Sequence, residues 1–154
     1  MQLQQPRMKH PIYVIPEALK ALQAVGKSVH DKGVPDTTLY LVELRASQIN
    51  SCSVCVEMHS AELKQAGVPD EKIFAVGAWR ESRHFDDAER AALALTEAAT
   101  RLADRPESVT DEIWEFAAKH YDEQALAALV IAIASINTWN RLNATIRQTA
   151  GGSW

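Results

Sequence analysis

The chain has 154 residues, 47% of them hydrophobic, and its 16 basic against 20 acidic residues give a formal net charge of −4. That is enough apolar material for one domain, residues 1–154, with a core that needs no staples, and it excludes a disordered chain. The lack of any basic run argues against nucleic acid or an anionic membrane as the partner.

Residues 1–9 are polar and carry no apolar stretch of signal-peptide type, which places the chain in the cytoplasm as an expectation. Helical patterns then follow one another: residues 16–31, 36–50, 52–66, 70–82, 86–102, 110–121 and 122–148. These make about seven helices of an all-α fold, and no strand-like alternation competes with them. The joints are chemical, at Gly33-Val34-Pro35, Gly67-Val68-Pro69 and Arg105-Pro106, and Asp86 with Glu89 has the spacing of a capping box.

In the 36–50 segment Asp36 is the expected N-cap. Tyr40, Glu43, Ser47 and Asn50 form a narrow polar stripe on its wheel, beside an apolar stripe of Leu39, Val42, Ala46 and Ile49. A polar stripe that narrow predicts buried use. Glu43 lies two turns before the next helix, so an angled helix pair would bring its carboxylate near His59.

The 52–66 segment holds the only two cysteines. At about 100° per residue, Cys52, Cys55, Val56, His59, Leu63 and Ala66 share one stripe. Cys52 and Cys55, at i and i+3, are close enough for a disulfide at a helix start, and His59, four residues on, is placed to hydrogen-bond the Cys55 sulfur. The helix start and an imidazolium would both favour thiolate over thiol. In a reducing compartment a lone C-x-x-C is catalytic or metal-binding rather than a staple. Zinc needs four ligands, and only Cys52, Cys55, His59 and one carboxylate are at hand. A redox pair is the preferred reading, with half a zinc site or inert packing as alternatives; for Glu43 the alternative is an ion pair with Arg45 or Arg80.

Further along, residues 125–134 are apolar on every side, too short a run to cross a bilayer. The helix carrying them should be buried all round, with another subunit covering one face. His84 is expected in solvent, and His10, His30 and His120 have no partner at metal spacing. Trp79, Trp114 and Trp139 fit apolar stripes and suit core or subunit contacts.

Residues 43–67, with the unit Cys52-x-x-Cys55-x-x-x-His59 and the lead-in Ser47-Gln-Ile-Asn50, resemble the core of the AhpD-like (alkylhydroperoxidase D) proteins of the carboxymuconolactone decarboxylase superfamily. Weaker similarity runs through Trp79-Arg-Glu-Ser82, Phe85, Glu89-Arg-Ala91 and Asn137-Thr-Trp-Asn-Arg141. The resemblance implies an AhpD-like helical fold with core motif 36–67 and the C-x-x-C opening a buried helix. It also implies a homo-oligomer, trimer or hexamer, and thiol-dependent reduction of peroxides without metal, flavin or haem. In that scheme Cys55 attacks the peroxide, Cys52 resolves the sulfenic acid, and His59 relays protons with a glutamate. The founding pattern has its glutamate where Tyr40 stands here; Glu43, one turn later on the same face, is the candidate. A dithiol donor of lipoyl or thioredoxin type would reopen the disulfide. The alternatives are a lactone enzyme like the decarboxylase branch, which does not require the cysteine pair, and a non-enzymatic redox-sensing oligomer.

Overall fold

The computed structural model describes residues 5–151, which form eight α-helices and, among the described residues, no strand. In chain order these are α1 (Pro11–Val14), α2 (Pro16–Ser28), α3 (Asp36–Ile49), α4 (Ser53–Gln65), α5 (Asp70–Ala75), α6 (Asp87–Thr100), α7 (Asp111–Ala118) and α8 (Glu123–Ile146), with a 3₁₀ segment, Val76–Glu81, after α5.

The structure departs from the sequence expectation by the additional short helix α1, by α2 and α7 each ending three residues early, and at two further boundaries. The 70–82 pattern splits, because Ala78 (φ −123°, ψ 34°) leaves helical geometry. At α3, Pro35 takes the N-cap position and Asp36 is already helical; its carboxylate bonds the His30 ring at 2.7 Å instead of capping. Elsewhere the punctuation works as its chemistry predicts. Gly67, at φ +81°, ends α4 in a Schellman arrangement, with its N–H donating to the Lys64 carbonyl and that of Val68 to the Leu63 carbonyl. The Asp86–Glu89 capping box closes in both directions at the start of α6.

Helix α3 is the hub and packs against α4, α6 and α8. Its two faces feed two cores. Leu39 and Val42 meet Leu95 of α6 and Leu129 and Ile133 of α8, whereas Leu41 and Leu44 join Leu63, Trp79 and Leu93. Each such leucine, removed from water, contributes roughly 1.5–3 kcal/mol before entropy is charged against it. Of the polar stripe between these faces, Ser47 is buried and Tyr40, Glu43 and Asn50 are half-buried; Ser47 and Asn50 bond asparagines of α8, and Glu43 meets His59 of α4.

Glu97 of α6 ties the hub to the 3₁₀ segment. It accepts hydrogen bonds from Arg45 (2.7 Å) and Trp79 Nε1 (3.0 Å) and pairs with Arg80 and, at 3.5 Å, with Arg101. Burial pushes this carboxyl up, but the bonds from Arg80, Trp79 and Arg45 outweigh it and hold the group below its ordinary value.

Within one subunit, helix α8 is not buried all round. Ala125, Leu129 and Ala132 face the core, while Ala127, Val130, Ile131 and Ala134 are exposed, with Val130 at 44% and Ile131 at 41%. Trp114 of α7, 42% exposed, borders the same apolar strip. The bundle covers only one side of the helix. The apolar character also extends beyond the ten-residue run, so α8 has the length and composition of a membrane span, with mean hydropathy 1.3 over its most apolar stretch. More than half of that stretch (56%) is packed inside the bundle, however, which is the condition of a central core helix.

Candidate active site

The path into the cysteines is set by backbone chemistry. After α3, Ser51 takes a left-handed conformation (φ 54°) that turns the chain sharply, and the Cys52 N–H donates to the Ser47 carbonyl at 3.0 Å. The lead-in residues hold this turn against α8. Asn50 donates to the side-chain oxygens of Asn137 (2.9 Å) and Asn140 (3.0 Å), and Asn140 donates to the Ser47 hydroxyl at 3.1 Å. The Ser-Gln-Ile-Asn run and the asparagines of α8 are thus two halves of one clamp.

Cys52 is the N-cap of α4, its sulfur accepting from the Cys55 N–H at 3.4 Å. The two sulfurs are bonded to each other, with the Cα atoms 5.4 Å apart, so the structure is that of the oxidised pair. Both residues are buried. Only Cys55, however, lines the adjoining cavity of about 370 Å³, together with Glu43, Met58, His59, Trp139 and Asn143. The volume suits a small molecule, and the walls are chiefly apolar.

His59 and Glu43 come together as the helix pairing predicts. The Nδ1 of His59 lies 3.4 Å from a Glu43 oxygen and 2.7 Å from Glu62. Arg45 and Arg80 are both engaged by Glu97, so the alternative reading of Glu43 as an arginine partner does not hold. Burial raises the Glu43 carboxyl above its ordinary value; His59 opposes the shift, and Glu62 adds to it. Tyr40 is also raised, by burial first and then by Asp36, Glu62 and Glu43, which keeps its hydroxyl protonated.

One expected contact is not made. His59 does not hydrogen-bond the Cys55 sulfur: its Nε2 is the one buried side-chain nitrogen or oxygen among the described residues without a hydrogen-bond partner. With Nδ1 held by carboxylates as a donor, Nε2 is left as a lone pair in a residue only 5% exposed. The sulfur is met instead by Asn143, whose Nδ2 is 3.2 Å from Cys55 Sγ and 3.6 Å from Cys52 Sγ. Asn143 is held in turn by His10.

Asn143, His10 and Glu62 are site residues that the motif reading does not contain. The available signal was the row Asn137, Asn140, Asn143 at intervals of three on an otherwise apolar helix. His84 is exposed as expected, and Trp79 is core. Trp139, by contrast, lines the cavity. Glu43, His59 and Glu62 offer ligand atoms within 4.8 Å of one another, but the His59–Glu62 bond already accounts for that approach, and both sulfurs are taken up by each other.

This helical bundle, with a cysteine pair at the start of a buried helix, is the AhpD-like architecture. Residues 16–98 match the carboxymuconolactone decarboxylase family, and the chain belongs to that family as an AhpD-like member. The uncharacterized Bacillus subtilis protein YdfG is 32% identical over 130 residues, which cover 84% of this chain and 87% of YdfG. Among solved structures, an Agrobacterium tumefaciens protein of unknown function, described as a candidate antioxidant defence protein AhpD, superposes with a TM-score of 0.88. It is 32% identical, over 97% of this chain and 100% of its own. The debrominase Bmp8 shares the fold, with a TM-score of 0.80 at 22% identity over 92% of this chain and 75% of Bmp8.

Proposed function

We propose that this protein is a thiol-dependent peroxidase that reduces hydroperoxides through Cys55 and Cys52 and is recharged by a cellular dithiol. The observation that carries the reading is the unpartnered Nε2 of His59, buried in a residue that lines the same cavity as Cys55. A buried base with no partner is costly unless a reacting group comes to meet it.

In the reduced enzyme His59 Nε2 takes the Cys55 proton. The thiolate attacks one oxygen of ROOH, the O–O bond breaks, and the leaving alkoxide receives the proton back from His59 as ROH. Cys55 is then a sulfenic acid. The Cys52 thiol displaces its hydroxyl as water, which gives the bonded pair. A dithiol of lipoyl or thioredoxin type supplies two electrons and two protons and leaves as its own disulfide. Glu43 and Glu62 hold Nδ1 throughout and stabilise the imidazolium while it carries the second proton. Glu62, 37% exposed at its side chain, gives the relay a route to solvent. The bonded pair beside the base favours this reading over a lactone enzyme, whose chemistry has no use for it.

The test is catalytic peroxide consumption by purified protein with a dithiol donor, alongside a count of free thiols after one equivalent of peroxide. Turnover and the loss of both thiols are expected. Two free thiols remaining would remove the redox reading, and stoichiometric oxidation without turnover would favour a redox-sensing oligomer.

A homo-oligomer belongs to the same proposal. The strip Trp114, Ala127, Val130, Ile131 and Ala134 supports it, since apolar faces of this kind are covered by self-association. Light scattering in dilute neutral buffer should give a trimer or hexamer, and a particle of 17.0 kDa would contradict it.

A further inference from the structure

We propose that Asn143 is the hydrogen-bond donor that stabilises the cysteine sulfurs as thiolates, and that His10 is the positioning residue that turns its amide toward them. The inference rests on the reading that the pair cycles between disulfide and dithiol, and on nothing about peroxide.

The orientation of an asparagine amide is ordinarily an assignment, because oxygen and nitrogen look alike. Here a backbone group decides it. The Ile12 N–H can only donate, and it points at His10 Nδ1 at 3.3 Å, capping α1. Nδ1 is therefore the accepting nitrogen, and the ring hydrogen sits on Nε2. Nε2 lies 3.0 Å from Asn143 Oδ1, so the hydrogen bond runs from the ring to that oxygen. The amide NH₂ is left to face the sulfurs, at 3.2 Å to Cys55 and 3.6 Å to Cys52. The opposite orientation would set Oδ1 against two sulfurs and NH₂ against an N–H, with every contact repulsive.

Both His10 and Asn143 are buried, and the His10 ring lies near Tyr13 and Trp139. The pair thus keeps one geometry in low dielectric, where a donor aimed at a charge counts most. A disulfide sulfur is a poor acceptor and a thiolate a good one, so the amide binds the reduced pair more strongly than the oxidised pair. When a dithiol donor attacks one sulfur, the other leaves with the bonding electrons, and either one lies in reach of the amide. The titratable groups around the cavity are Cys55 and His59 on α4 and Glu43 on α3, with His10 behind Asn143 before α1. Helix α8 contributes only the neutral amide at this point.

The experiment measures two quantities without peroxide: the reduction potential of the pair against a glutathione or lipoate couple, and the pH dependence of alkylation of the reduced protein. Asn143→Leu should raise the thiol pKa of Cys55 by about one unit, a tenfold loss of thiolate. It should also lower the potential by about 30 mV, the two-electron equivalent of that factor. His10→Phe should reproduce part of both shifts without touching a sulfur. His10→Gln, whose amide nitrogen stands where Nε2 stood, should restore them. If Asn143→Leu does not fold, Asn143→Asp carries the same test, since it keeps the shape and replaces the donor with an acceptor. Unchanged acidity and potential in a folded Asn143 variant would overturn the proposal, as would identical behaviour of His10→Phe and His10→Gln. A parent protein that cycles with dithiols but consumes no peroxide would refute the peroxidase reading and leave this one standing.

Discussion

Replacing Cys55 with serine is expected to reduce peroxide turnover to background, while Cys52→Ser retains a single round and stops there. The asymmetry follows from geometry: Cys55 lines the cavity and Cys52 does not, although both are buried. A serine hydroxyl at position 55 has no thiolate to offer, so the first step fails. A serine at position 52 leaves that step intact and removes only the thiol that condenses with the sulfenic acid. Mass spectrometry of Cys52→Ser after one equivalent of peroxide should find one added oxygen on Cys55, or a mixed disulfide with an added thiol. A single round that leaves the same modification trapped on Cys52 in Cys55→Ser would reverse the two roles.

The second large effect is expected at Glu43. In the proposed cycle its carboxylate supports the imidazolium of His59, and Glu43→Gln should lower turnover on the order of 10²-fold, the low end of what acid–base assistance contributes. Tyr40→Phe, measured beside it with oligomer size checked, tells whether the phenol at the founding position shares the work. Stability should move the other way. The Glu43 carboxyl is raised on folding, chiefly by burial. The folded state therefore holds its proton more tightly than the unfolded chain, and the contribution to stability is fully present below the ordinary carboxylate value. It is lost as pH rises through the elevated one. A neutral glutamine has no such loss, so the melting temperature of Glu43→Gln relative to the parent should increase across that window. Normal turnover in a folded Glu43→Gln protein would leave Cys55, Cys52 and His59 as the whole mechanism.

Apart from α1 and the split of the 70–82 pattern, the helices and the central cluster were legible in the sequence because their signals are local. Cys52, Cys55 and His59 share a face through helical spacing alone, and Glu43 needed only one further assumption, that α3 and α4 pack together. Joints such as Gly67 and the Asp86–Glu89 box are also short-range and were readable. Asn143 and His10 were not. Each meets its partner across 88 or more residues, and neither belongs to a spacing pattern containing a cysteine. Asp36 failed as an N-cap because a competing acceptor role, toward His30, lay just upstream of its own helix. The missing His59–Cys55 bond has a different cause. Helical spacing brings two side chains to one face but does not choose which ring nitrogen turns inward, and two carboxylates drew Nδ1 away.

The bond between His10 and Asn143 joins segments separated by 133 residues, one before the first helix and one in the last. During synthesis the thiols emerge long before the amide that is to face them, and loop closure across such a span is among the slowest contacts a chain makes. A nascent chain halted after α7 would present both cysteines with neither the asparagine clamp of α8 nor a closed cavity around them. Their reactivity at that stage would be that of ordinary exposed thiols, open to whatever oxidant or partner is near. Docking of α8 is then the event that turns two cysteines into a site, and its rate sets how long the unfinished protein stays vulnerable.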